Sequence, residues 1–150
     1  MKIWIDADAC PKPIKDVLFR AAERRGISLT LVANKALSLP KSRWINSIQV
    51  AAGADEADRE IVRLMSPGDL VITADIPLAA EVINQQGFAL EPRGDFFTEE
   101  NIRERLSLRN FMDELRSSGI ETGGPATFSA KDKQAFANQL DRFLTKQTTA

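Results

Sequence analysis

Histidine is absent from these 150 residues, and so is tyrosine. Without histidine there is no Ser-His-Asp or Cys-His catalysis, no His-ligated zinc and no imidazole general base. A single cysteine, Cys10, excludes an internal disulfide framework and a cysteine-based zinc site. No apolar run approaches the roughly 20 residues a membrane helix needs. The N-terminus also lacks the basic, apolar, small-residue order of a signal peptide, so a cytoplasmic location is the expectation. The formal net charge of −1 gives the whole molecule no pull toward polyanions. Any catalysis must therefore rest on carboxylates, Lys, Arg, Ser, Thr or Cys10.

What is present is ordinary for a folded protein: 43% hydrophobic and 27% charged residues. The length suits one domain over residues 1–150, with 145–150 expected as a disordered tail. Apolar runs at 2–5, 27–33, 48–50, 70–73 and 88–90 read as strands. Helical periodicity follows Pro11 and Pro13, covers 54–65, and resumes after Pro77. Strand and helix alternate, which predicts an α/β fold with a mostly parallel central sheet of about five strands and helices on both faces. Thr98 should cap a long helix burying Ile102, Leu106, Phe111, Met112 and Leu115. Ser129 to Asp132 reads as a capping-box-like start to a last helix burying Phe136, Leu140, Phe143 and Leu144.

Three aspartate clusters attach to this framework. Asp6 and Asp8 follow the first strand, Asp55 and Asp58 open the helix after residue 53, and Asp75 ends Val71-Ile72-Thr73-Ala74-Asp75. In an open α/β sheet, ligands bind beyond the carboxyl ends of the strands. Carboxylates gathered there repel one another unless a hard cation such as Mg²⁺ or Mn²⁺ neutralises them. A pair of such ions roughly 4 Å apart can activate water and stabilise the leaving oxygen of a phosphodiester. Each aspartate also has a plainer reading: Asp8, Asp55 and Asp75 all stand where a helix N-cap would. Asp69, in the turn after Pro67-Gly68, lies at the wrong end of its strand and is set aside.

Ile5-Asp6-Ala7-Asp8-Ala9-Cys10-Pro11, Val32-Ala33-Asn34, Gly53-Ala54-Asp55-Glu56-Ala57-Asp58 and the run from Val71 to Ala79 resemble the YaiI/YqxD family. So do Pro92-Arg93-Gly94, Arg109 with Phe111, and Gly123-Gly124-Pro125 with Phe128. The resemblance implies a single three-layer domain similar to PIN-type nucleases, and with it a metal-dependent ribonuclease. PIN-like nucleases carry an Asp after the first strand, an acid on a middle helix and an Asp after the fourth strand. Asp6, Asp58 (or Asp55) and Asp75 match those places, and Asp8 and Asp95 are both candidates for a fourth acid.

The leading expectation is thus a Mg²⁺- or Mn²⁺-dependent nuclease acting on RNA. Asp6, Asp58 and Asp75 would be catalytic, and those three with Asp8 and Asp55 would form the metal set. Asn34, Thr73, Arg93 and Arg109 are the candidates for substrate contacts. Arg103, Arg105, Arg116, Lys35, Lys41 and Arg43 are further phosphate candidates, and Trp44 is an aromatic that could stack a base. A phosphatase-like phosphotransferase is the alternative enzyme, with Asp6 as nucleophile and Asp8 as acid. A third reading is a nucleic-acid or nucleotide-binding module in which the acids are only caps.

Overall fold

The computed structural model describes residues 1–53, 55–121 and 127–149. Ala54 and the Gly123-Gly124-Pro125 segment lie outside the described residues. The strands are β1 (Ile3–Asp6), β2 (Leu29–Ala33), β3 (Ile45–Gln49), β4 (Leu70–Ile72), β5 (Phe88–Leu90) and β6 (Phe96–Phe97). The helices are α1 (Lys12–Arg25), α2 (Glu56–Leu64), α3 (Ile76–Asn84), α4 (Glu99–Ser117) and α5 (Ala130–Thr149), with a 3₁₀ turn at Ala7–Ala9. The sheet order is β3-β2-β1-β4-β5-β6, parallel throughout except for the β5–β6 pair.

Successive side chains of a strand point to opposite faces, and the sheet divides its apolar residues accordingly. Ile3 and Ile5 of β1, Leu29 and Leu31 of β2, and Leu70 and Ile72 of β4 pack on one face against α1 and α5. Trp4, Val32 and Val71 pack on the other against α2, α3 and α4. The fold is therefore α/β with helices on both faces, as the alternating pattern implies. No described helix is long and apolar enough to cross a membrane.

Several boundaries differ from the expectation. β3 starts three residues earlier than the apolar signal at Ile48. As an edge strand it buries only Ile45 fully, so its sequence carries little hydrophobic pattern. A sixth strand, β6, is added, and its two residues are too few to show a period. On α4, Ile102 is buried but Phe111 is 55% exposed, in the C-terminal half of the helix, where no described residue is fully buried. Residues 145–149, assigned above to a tail, continue α5 as helix. The expected start of α5 is present: the Ser129 N–H donates to Asp132 Oδ2 at 2.9 Å, and the Asp132 N–H donates to Ser129 Oγ at 3.3 Å.

Asp69 turns out to be a structural tie. It is buried, and its carboxylate accepts from the Lys2 N–H (2.9 Å), the Ser66 N–H (2.9 Å) and Trp4 Nε1 (3.0 Å). This one side chain joins the starts of β1 and β4 to the turn before β4. Asp69→Ala would leave three donors unpaired, one of them a buried indole. The expected loss is about 3 kcal/mol of unfolding free energy. Urea unfolding followed by tryptophan fluorescence measures it, and a loss under about 1 kcal/mol would refute the role.

Candidate metal centre

The strand order reverses at β1, whose neighbours are β2 and β4. The chain leaves β1 for α1 on one face and leaves β4 for α3 on the other. The crevice between such diverging connections is where open α/β sheets bind ligands. Asp6 ends β1 at this point, and Asp75 stands three residues past the end of β4.

Strand register fixes how the two communicate. Ile5 pairs with Ile72, so Asp6 and Thr73 lie side by side as the strands end. The buried Thr73 hydroxyl donates to Asp6 Oδ2 (3.2 Å) and accepts from the Asp75 N–H (2.9 Å). Asp75 in turn caps α3, its Oδ1 accepting from the Leu78 N–H at 3.0 Å. Asp6, Thr73 and Asp75 form one connected unit, and the hydroxyl sets the spacing between the two acids.

Asp55 and Asp58 come from the start of α2. Asp55 stands at the N-cap position but makes no capping hydrogen bond, and its backbone is left-handed at φ 67°. Aspartate tolerates that region better than most residues. The capping explanation of Asp55 therefore fails. One carboxylate oxygen from each of Asp55, Asp58 and Asp75 lies within 4.8 Å of the other two. The N-terminal ends of α2 and α3 meet here, and their dipoles partly offset the gathered negative charge.

The electrostatics show the strain of this grouping. Asp58 is pushed up to about 7, chiefly by burial and then by the charges of Asp75 and Asp6, with Asp55 adding less. Asp6 is also raised, first by burial and then by Asp75 and Asp8, while the Thr73 hydrogen bond pulls it back. A carboxyl that retains its proton near neutral pH beside two other carboxyls is a site where a cation would be welcome. The donor set, all hard oxygen, suits a divalent ion of the Mg²⁺ or Mn²⁺ kind. Burial pushes the Cys10 thiol up to about 12, which leaves no thiolate for nucleophilic work.

Asp8 and Asn34 are tied together instead. Asp8 is exposed in the 3₁₀ turn, and its Oδ2 accepts from the Asn34 N–H at 2.9 Å, joining the end of β2 to the loop after β1. Asp95 is exposed in the β5–β6 turn, away from the three-carboxylate cluster. The cluster opens into a cleft of about 470 Å³ that Arg109 of α4 also lines. Arg109 is half-exposed and pairs with Asp113 at 3.5 Å. Arg93 lines a different cleft of about 460 Å³, with Arg105 and Phe128. There it pairs with Asp132 at 2.9 Å and lies 5.8 Å from the Phe128 ring centre.

Arg59 and Arg63, also on the wall of the cleft that the three carboxylates open into, were not among the expected contacts. Helical spacing contained the signal: Arg59 follows Asp55 by four residues and Arg63 follows Arg59 by four, so both share that side of α2.

A model of a family described as "Uncharacterized BCR, YaiI/YqxD family" matches residues 4–146. The chain is similar to a UPF0178 protein of Janthinobacterium sp. (strain Marseille), 63% identical over 147 residues, which span 98% of this chain and 97% of the relative. It is likewise 63% identical to a UPF0178 protein of Herminiimonas arsenicoxydans, over 97% of this chain and 98% of that one. With a UPF0178 protein of Syntrophotalea carbinolica the identity is 62%, over 97% and 99%.

Proposed function

The chain belongs to the YaiI/YqxD family, and we propose that this member is a divalent-metal-dependent nuclease that cuts single-stranded RNA at its aspartate cluster. The observation that carries the proposal is the convergence of Asp55, Asp58 and Asp75 within 4.8 Å at the topological switch point, with Asp6 joined to Asp75 through Thr73. These acids come from three separate stretches of chain, and the repulsion among them is an expense that folding alone does not require.

Asp55, Asp58 and Asp75 are the residues that would hold Mg²⁺ or Mn²⁺. A hard divalent ion supplies neutralisation of phosphate charge and activation of water. Asp6, buried and held by Thr73, orients the attacking water and accepts its proton. Its raised proton affinity makes it a better base than an ordinary carboxylate. Thr73 keeps Asp6 at a fixed distance from Asp75. Arg109, which lines the same cleft and pairs there with Asp113, supplies a positive charge to the non-bridging oxygens of the scissile phosphate.

The phosphotransferase reading finds less support. The acid it needs, Asp8, is exposed and already accepts the Asn34 N–H, outside the three-carboxylate cluster. The test is incubation of purified protein with single-stranded RNA and Mn²⁺ or Mg²⁺, with EDTA as control. Cleavage that requires the ion and disappears in Asp6→Asn is expected. Wild-type protein that cuts no RNA with either ion would overturn the proposal.

A further inference from the structure

Charge is distributed very unevenly along this near-neutral chain. Residues 1–50 hold nine Lys and Arg against four Asp and Glu, whereas residues 51–150 hold eleven against seventeen. The basic side chains are also treated differently. Of the seven ion pairs found among the described residues, six use arginines beyond residue 50, and only Arg25 pairs from the first fifty. Lys12, Arg20, Arg24, Lys35, Lys41 and Arg43 are all exposed and make no ion pair among the described residues. Two acids, Asp16 and Glu23, share α1 with them.

The six are ordered in space. Lys12 opens α1 just after the Asp6–Asp8 loop, and Lys35 follows Asn34, whose N–H is held by Asp8. Both begin at the edge of the sheet that carries the aspartates. α1 then runs back along the sheet for 14 residues, roughly 21 Å at 1.5 Å per residue. At its far end Arg20 and Arg24 meet the β2–β3 connection across a shallow groove that Phe19, Pro40, Ile45 and one acid, Glu23, also line. Lys41 adjoins Pro40 there, and Arg43 lies 4.7 Å from the ring centre of Trp44. Trp44 itself packs under this connection against the core, so it is not an open stacking platform.

We propose that this face is a track for the phosphate backbone of single-stranded RNA, leading from the groove beside Arg20, Arg24 and Lys41 up to the aspartate edge. The proposal rests on the nuclease reading for the identity of its ligand. Exposed cations that make no ion pair among the described residues, spread over about 20 Å and outnumbering Asp16 and Glu23 three to one, fit a chain of phosphates. The acidic remainder of the surface would repel the same strand and so fix its direction.

The test uses Asp75→Asn protein in EDTA, so that the strand stays intact, and fluorescence anisotropy with a labelled single-stranded RNA. Each phosphate contact on a single strand contributes about −0.7 to the slope of log K against log salt. Six contacts imply a slope near −4 and a loss of a few hundredfold in affinity between 50 and 200 mM salt. Combining Arg20→Gln, Arg24→Gln and Lys41→Gln should weaken binding at least about tenfold and make the slope shallower by about 2. A control combining Lys131→Gln, Lys133→Gln and Arg142→Gln removes the same charge from α5 and should leave the slope unchanged. Thermal unfolding confirms that both variants fold. Equal losses in the two variants, or an unchanged slope in the first, overturn the track. So does binding to anionic phospholipid vesicles but not to RNA. If RNA binds with the expected signature yet wild-type protein with Mn²⁺ never cuts it, the track stands and the nuclease reading falls. If wild-type cuts and the track variant keeps its slope, the reverse holds.

Discussion

Asp75→Asn is expected to lower metal-dependent RNA cleavage by at least about 100-fold, since even partners that only support a metal ligand are worth 10–100-fold, while leaving the fold intact. The substitution isolates charge from structure. Asp75 caps α3 through Oδ1, and an asparagine oxygen can accept the same Leu78 N–H at the same place. Asparagine caps about as well as aspartate, so stability should stay within about 1 kcal/mol, or about 2–4 °C in Tm. Asp75→Ala separates the two roles from the other side: it should lose activity equally and also lose about 1 kcal/mol of cap. Cleavage assays under Mn²⁺ with thermal melts of the three proteins decide it. Activity within tenfold of wild type in Asp75→Asn would remove Asp75 from the metal set, and with it the three-carboxylate site.

Asp75 also shows how far one sequence can carry such reasoning. Its position after a buried apolar strand, before Ile76-Pro77, announced both a cap and a carboxylate at the ligand edge, and the structure places it as both. Asp55 was less legible. A stretch reading Gly53-Ala54-Asp55-Glu56 fits an N-cap by composition, and only the backbone angle and the missing capping bond show the side chain doing something else. The contrary case is Phe111. Helical spacing marked it as core, yet it lies on an exposed stretch of α4, and period alone does not reveal which turns of a helix find a partner. Asp69 was correctly excluded from the edge by its place before β4. Its partners, Lys2 and Trp4, lie more than sixty residues away and leave no local trace. Local chemistry was readable wherever strand ends set it, and was lost wherever distant register or tertiary packing decided the outcome.

Asp58→Asn should move stability in opposite directions depending on whether a metal is present. In the metal-free protein, Asp58 holds its proton up to about pH 7, because burial and the charges of Asp75 and Asp6 oppose its ionisation. The unfolded chain releases that proton near the ordinary value of 3.8. The folded state therefore binds more protons than the unfolded state between these limits, and stability falls as pH rises from about 4 to about 7. Asp6, raised for the same reasons, adds to the fall in the same direction. Asparagine mimics the protonated acid, so the variant should match wild type near pH 4 and exceed it at pH 8. Asp58 is only partly buried, and allowing for solvent screening the gain is about 1–2 kcal/mol, or about 3–6 °C in Tm. Mn²⁺ should reverse the ranking. At a hundredfold excess over Kd, an ion that binds only the folded state adds about 2.7 kcal/mol, some 5–10 °C, to wild type. The variant, with one ligand of the cluster neutralised, should gain little. Melts at pH 4, 6 and 8, with Mn²⁺ and with EDTA, read all of this at once. If the metal-free protein is no less stable at pH 8 than at pH 5, the carboxylates are not crowded. If Mn²⁺ raises both proteins equally, the ion is bound somewhere other than this cluster.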